Sequence, residues 1–310
     1  MNMEYRRLGN TGLTISAVAL GGHWKGLQPV LGRPFEGSGY DQADFENIHA
    51  ADFLQNRHAV VSRAIELGIN YIDACAPPEV LAYSRVLRGR RGQVHLGYSW
   101  HTREPRYPEW RTAAKLLRGL EEGFAEAGLD YADLWRISLP ADGIDDPDER
   151  LRIEEATVQA LDLAKRQGKA RFTGFSSHDA AWLRKMIERY PKQIEVVLFP
   201  FTGASRPAVT GGLLEAARAH DAGAIGIKPF GGGSLFEGDG GDEGRARLAL
   251  RSILGNVAIA ATAAGLASVP QVENAVQAAG EPREIDPAER AELDRMWARA
   301  PGWLKTWERV

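Results

Sequence analysis

Cysteine is almost missing from this 310-residue chain, where Cys75 stands alone. A single thiol excludes an intramolecular disulfide framework and an iron–sulfur cluster, and it fits a reducing cytoplasm. An excess of either charge is missing too: 38 Lys and Arg stand against 41 Asp and Glu, for a formal net charge of -3. The cations are spread among acids rather than gathered in a tract, so nucleic acid is not an expected partner. Long apolar runs are also lacking. The first seven residues have no apolar core behind their charges, and the most apolar stretch, residues 257–269, is alanine-rich and too short to cross a bilayer. No membrane association is expected. His23, Asp73, Glu79 and His101 show no short ligand spacing of the His-x-Glu-x-His kind, so no metal is assigned.

What is present is a core-forming composition, 44% hydrophobic and 25% charged, enough for one large domain over residues 1–310. Residues 4–14 read as a hairpin turning at Asn10-Thr11-Gly12, and residues 15–20 as a first barrel strand stopped by Gly21-Gly22. Apolar runs at 70–73, 93–99, 132–138, 170–175, 194–199, 224–229 and 257–261 then alternate with helical patterns. Strand followed by helix, repeated in this way, predicts α/β architecture, a parallel (β/α)8 TIM barrel. Residues 110–127 and 153–167 carry helical apolar spacing, the latter ending in Arg166-Gln167-Gly168. An extra C-terminal helix over 286–300 starts at Asp286-Pro287 and is placed on the outer wall or near the mouth. Residues 25–55 form an enlarged loop after strand 1, either a lid or pocket wall on the catalytic face or a tolerated surface excursion.

The opening Tyr5-Arg6-Arg7-Leu8-Gly9-Asn10-Thr11-Gly12 and the run Gly68-Ile69-Asn70-Tyr71-Ile72-Asp73 resemble the aldo-keto reductase family, and the resemblance extends over nearly the whole chain. It implies an NADP(H)-dependent carbonyl reductase with an Asp ending strand 2, a Tyr about five residues later, a Lys ending strand 3 and a His ending strand 4. Of these, only Asp73 stands here: Ser99 takes the Lys position, Ser138 the His position, and Ala76-Pro77-Pro78 the Tyr position. A tyrosine of ordinary pKa about 10 needs that lysine to act as proton donor at neutral pH, so the usual relay cannot run. Other rim groups are His23, Lys25, Glu79, Tyr98, Trp100, His101 and Lys228, with packing, solvated-loop and helix-terminus roles as the bland readings. Asp73, deprived of its lysine, is expected to contact Arg136, Lys228 or His23, because a buried carboxylate needs a cation. Arg136 is best placed, two residues before Ser138 on the same face of its strand.

The resemblance also implies a cofactor cleft. Ser176 and Ser177 take the place of the carboxamide-holding pair, while Leu198 replaces a glutamine partner. Lys228, Phe230, Gly231 and Gly232 resemble the pyrophosphate-side loop, where bare backbone approaches phosphate. Gly265, Ser268, Gln271 and Asn274 resemble the segment under the adenosine, although Ala267 stands where a cation usually reads the 2′-phosphate. NADP(H), NAD(H), a different phosphate ligand or no ligand all remain open.

Three functions follow for a small-molecule substrate or ligand. One is a nicotinamide-dependent oxidoreductase with an acid–base set rebuilt from Asp73, Tyr98, His101, His23 or Lys228. Another is a non-catalytic barrel binding a nucleotide or small molecule, or serving in an assembly. The last is a lyase or isomerase using Asp73 and nearby histidines. Neither substrate identity nor oligomeric state is encoded in a readable pattern.

Overall fold

Strands β1 (Tyr5–Arg7) and β2 (Thr14–Ser16) pair antiparallel, and Gly12 at φ 72° turns the chain between them. The computed structural model describes residues 3–24, 30–32, 48–138, 144, 146–202, 212–236 and 243–300, so most of the enlarged 25–55 loop lies outside the described residues. Eight parallel strands follow: β3 (Val18–Leu20), β4 (Tyr71–Ala74), β5 (His95–Tyr98), β6 (Ala132–Ser138), β7 (Ala170–Ser176), β8 (Val196–Pro200), β9 (Gly223–Ile227) and β10 (Ala261–Ala264). They close into a barrel in the order β10-β3-β4-β5-β6-β7-β8-β9. Around it stand α1 (Ala51–Glu66), α2 (Pro77–Val86), α3 (Ala113–Ala127), α4 (Pro147–Arg166), α5 (Ala180–Arg189), α6 (Leu213–Ala219), α7 (Glu243–Leu254) and α8 (Val269–Gly280). The extra helix α9 (Pro287–Ala298) opens on an Asp286/Glu289 capping box and packs Leu293 and Met296 against Leu235 and Leu248, next to the segment that follows β9. This is the (β/α)8 TIM barrel with an N-terminal hairpin that the alternating pattern predicts.

Two apolar layers result from strand alternation. Side chains pointing inward, among them Tyr71, Leu134, Val196, Leu198, Ile225 and Ala263, fill the barrel, and Leu8, Leu13 and Ile15 of the hairpin close its floor. Their outward neighbours, such as Ile72, Leu96, Trp135, Ile137 and Val197, pack under the helices. At the floor, buried Asp133 accepts from Arg91 and Arg171 at 2.7 Å each and from the Leu96 amide at 2.9 Å, tying β5, β6 and β7 together.

Two strands have a boundary that moves by more than two residues. Ile15 and Ser16 belong to the hairpin, and the barrel strand begins only at Val18, because the Ala17 amide is still bonded to Glu4 of the N-terminal arm. The eighth strand lies at 261–264 rather than 257–261: Asn256 accepts from Ala258 and forms a turn with Ile259, leaving Val257 exposed. Among the described residues no helix is long and apolar enough to cross a membrane.

Candidate active site

The strands' C-terminal ends bring Asp73, Ser99, Ser138 and Ser176 to one rim. Register sets Asp73 opposite Gly97, and Ser138 opposite Ser176. A Cβ on Gly97 would lie 2.8 Å from Asp73 Oδ1, so Gly97 faces inward, and Ser99, two residues on, faces inward with it. Arg136 projects from β6 into the same space. Its Nη2 donates to Asp73 Oδ2 at 2.7 Å and its Nε to Oδ1 at 3.2 Å. This is the cation expected for Asp73. Burial alone would weaken the guanidinium's hold on its proton, but Asp73 outweighs it and the Arg136 pKa rises well above its ordinary value. Arg136 Nη1 also reaches Cys75 Sγ at 3.5 Å and Ser138 Oγ at 3.4 Å. Burial raises the Cys75 pKa and keeps that side chain a thiol.

Glu104 occupies the gap between Ser99 and Ser138, and nothing in the local sequence marks it. It follows a short 3-10 turn (His101–Arg103) and is buried; its Oε1 accepts from the Ser99 hydroxyl and its Oε2 from the Ser138 amide at 3.1 Å. Burial raises the carboxyl above its ordinary range, against the lowering influences of Arg106, Ser99, Arg136 and the Ser138 amide. Two small serines where a lysine and a histidine are expected leave a hole in the rim, and that hole is the sequence signal a loop acid could answer.

On the other side of the mouth, His23 Nδ1 lies 2.7 Å from Glu79 Oε1. Glu79 opens α2, as a helix N-terminal acid should, and its Oε2 accepts from the Cys75 and Ala76 amides at 2.8 and 3.2 Å. Burial pushes its carboxyl up, but His23 and the two amides outweigh burial and leave it below the usual value. Gly22 is required for this approach, since a Cβ there would stand 2.1 Å from the Glu79 carboxylate. The Glu79 side chain is 1% exposed and that of His23 27%, with the His23 Nε2 atom buried, so a sealed carboxylate backs a partly exposed imidazole. Such a contact fixes the ring's orientation. His101 is buried nearby, its amide bonded to the Cys75 carbonyl at 3.2 Å; burial first, then Arg106, lowers its pKa to about 4. At neutral pH that ring is uncharged. Among the described residues no three His, Cys, Asp or Glu side chains converge as a metal-ligand group.

Tyr98 requires a correction. It sits one residue before inward-facing Ser99, so its ring points out of the barrel, edge-on to Phe124 at 5.1 Å and beside Trp100 at 6.3 Å. It is a packing residue of the outer layer, and the structure does not bring it to the rim.

The residues expected to meet a cofactor lie on the segments from the end of β7 to α8. Ser176 and Ser177 are buried at the end of β7, where Ser177 Oγ accepts from the Asp179 amide at 3.0 Å. Leu198 lies in the barrel interior and offers no polar atom. After β9, Lys228 adopts φ 54°, and Gly231, Gly232 and Gly233 follow at φ 57°, 69° and 96°, with open space where a Gly233 Cβ would stand. Phe230 packs on Phe236 at 5.2 Å. Gly265 must lack a side chain, because a Cβ there would meet the His23 carbonyl oxygen at 2.1 Å, so the end of β10 is pressed against the His23 backbone. Ser268 caps α8 by accepting from the Gln271 amide, and Gln271 Oε1 accepts from Ala267 at 2.7 Å. Asn274 accepts from Arg247 at 3.0 Å and donates to the Glu243 carbonyl at 3.0 Å, joining α8 to α7. Arg57, buried and not foreseen from sequence, donates to the Leu266 and Ala267 carbonyls at 2.8 and 2.7 Å and lies over the Trp24 ring.

Comparison with known proteins matches residues 50–282 to the sequence model of the Aldo/keto reductase family. L-Galactose dehydrogenase from Arabidopsis thaliana is 26% identical, over 90% of this chain and 89% of that protein. The fold is similar to that of the holo form of aldo-keto reductase AKR11C1 from Bacillus halodurans, with a TM-score of 0.65 and 21% identity over 95% of this chain and 96% of the other. It is similar as well to an aldo-keto reductase from Klebsiella pneumoniae solved in complex with NADPH, with a TM-score of 0.69 and 19% identity over 97% of each chain.

Proposed function

The chain belongs to the aldo/keto reductase family, and on that premise we propose that it is a nicotinamide-dependent oxidoreductase, using NADP(H) or NAD(H), whose proton transfer is carried by the His23–Glu79 pair. The observation that carries this reading is the 2.7 Å contact between the imidazole that follows β3 and a carboxylate fixed by two backbone amides.

The loop after β9 supports this reading. Consecutive left-handed glycines, with open space at Gly233, let backbone approach a diphosphate closely. In this reading Ser176 and Ser177 hold the carboxamide, Lys228, Phe230, Gly231 and Gly232 border the diphosphate, and Gly265, Ser268, Gln271 and Asn274 border the adenosine. The bound nicotinamide supplies hydride chemistry. His23 gives a proton to the substrate oxygen or takes one from it, and Glu79 stabilises the imidazolium. Asp73 and Arg136 keep the strand ends in place, and Glu104 with Ser99 keeps water out of the gap between β5 and β6. The Klebsiella protein's complex with NADPH and the Arabidopsis protein's being a dehydrogenase support this assignment. The single cysteine supports a cytoplasmic setting.

Ser99, Ser138 and Pro78 favour a second reading, a nucleotide-binding barrel without turnover. Steady-state reduction of a carbonyl panel separates the two. His23→Gln and Glu79→Gln are each expected to lower kcat about a hundredfold or more while cofactor affinity is kept. Cofactor binding without turnover on any substrate would replace the first reading by the second, and unchanged kcat in both variants would remove the pair from catalysis.

A further inference from the structure

One hydroxyl at the barrel's rim keeps its proton unspent. Ser99 donates its hydroxyl proton to Glu104, but Ser138 meets Glu104 through its backbone amide, at 3.1 Å. Ser138 Oγ instead accepts from Arg136 Nη1 at 3.4 Å, and among the described residues its own proton has no acceptor.

Strand parity places that hydroxyl. Leu134, Arg136 and Ser138 alternate on the inward face of β6: Leu134 lies in the barrel core, and Arg136 Nη2 reaches Asp73 on β4 at 2.7 Å. Both are buried, whereas Ser138, the last residue of the strand, is partly exposed, so access from outside to this face begins at Ser138. Glu104 fixes the Ser138 backbone on one side, and the pairing with Ser176 fixes it on the other. A held hydroxyl whose oxygen accepts from a guanidinium is a strengthened donor, because each hydrogen bond polarises the next.

A neutral oxygen is the acceptor that suits this donor. Asp73 takes both Nη2 and Nε of Arg136 and answers its charge. Glu104, ionised or protonated, adds no positive charge, so the cluster of Asp73, Arg136 and Glu104 has none left for a carboxylate or phosphate. A hydroxyl or carbonyl oxygen needs no such charge. The position on the ring decides which oxygen of a substrate this is. β6 stands three strands from β3 in the closed barrel, about 14 Å along the wall by the usual strand spacing, and His23 follows β3. A substrate whose reacting oxygen meets His23 therefore offers a different oxygen to Ser138.

We propose that Ser138, backed by Arg136, binds a second, neutral oxygen of the substrate, which makes hydroxylated carbonyl compounds the substrate class. This inference rests on the oxidoreductase reading, and its two tests fail separately from that reading.

The first test compares glyceraldehyde with propanal, the same three-carbon chain without hydroxyls. The wild type should show a kcat/KM about tenfold or more higher for glyceraldehyde. Ser138→Ala should cut that ratio about fivefold or more, and Ser138→Thr, which keeps the hydroxyl, should preserve it. Ser138→Ala removes one oxygen from a partly exposed side chain and keeps the amide bonded to Glu104, so it should fold normally. Equal kcat/KM values for the two aldehydes, or a ratio unaltered in Ser138→Ala, overturn the proposal. Turnover of neither aldehyde counts against the oxidoreductase reading, and the second test then decides the subsite. Crystals soaked in glyceraldehyde should show a ligand oxygen about 3 Å from Ser138 Oγ in the wild type and none there in Ser138→Ala. A wild-type crystal without that contact overturns the proposal.

Discussion

Arg136 meets Asp73 through two nitrogens, Nη2 at 2.7 Å from Oδ2 and Nε at 3.2 Å from Oδ1, joining β6 to β4 inside the barrel mouth. Both groups are buried, so each is the other's main compensation for lost water. Arg136→Met should cost about 3–5 kcal/mol, because it leaves a buried carboxylate without its cation. The double variant Asp73→Asn/Arg136→Met should recover part of that loss. Urea unfolding of the three proteins measures the coupling; additive losses would show that the pair is not a unit.

Tyr98 and Gly123 form a second coupled pair, since a Cβ on Gly123 would stand 2.0 Å from the Tyr98 hydroxyl oxygen. Gly123→Ala should destabilise by about 1–3 kcal/mol through overpacking, and Tyr98→Phe should relieve part of it. Tyr98→Phe alone should leave cofactor binding and any turnover unchanged. A large loss of rate in that variant would return Tyr98 to the active site.

His101 titrates at about 4 in the fold, against about 6.5 for an ordinary histidine. The unfolded chain therefore takes up the proton first as pH falls, and stability is lost between about pH 6.5 and 4, by up to about 3 kcal/mol from this group. His101→Gln should flatten that part of the stability profile measured by denaturant titration at successive pH values. An unaltered slope would mean that the ring is not buried as a neutral group.

Glu104 works in the opposite direction. Its folded pKa is raised, so its contribution is fully present below the unfolded value of about 4.3 and is lost as pH rises through the raised folded value. Glu104→Gln should abolish that decline. A wild-type carboxylic-acid infrared band that persists above the ordinary glutamate range, and is missing from the variant, would identify the group; loss of the band at ordinary glutamate pH would contradict the assignment.

The barrel was legible because eight apolar runs alternate with helical periods, and strand parity alone pointed Arg136 toward Asp73. The same parity sends Tyr98 outward, one residue before inward Ser99, and its functional chemistry had obscured that geometry. The eighth strand was displaced because alanine-rich 261–264 carries a weaker apolar signal than the segment before it, which Asn256 bends into a turn. Glu104 was not legible, since its loop has no period and its partners, Ser99 and Ser138, lie on two different strands. The His23–Glu79 contact spans two separate strand ends; sequence identified each residue as a rim group but could not join them.

Cofactor binding decides the functional reading. The chain carries 8 tryptophans, and their emission during titration with NADPH and then NADH reports occupancy of the cleft. Saturable quenching by at least one of the two, lost when the Gly231–Gly233 loop is filled by Gly233→Val, is the expected result. Emission unaffected by either nucleotide up to millimolar concentration would contradict a nicotinamide-dependent oxidoreductase.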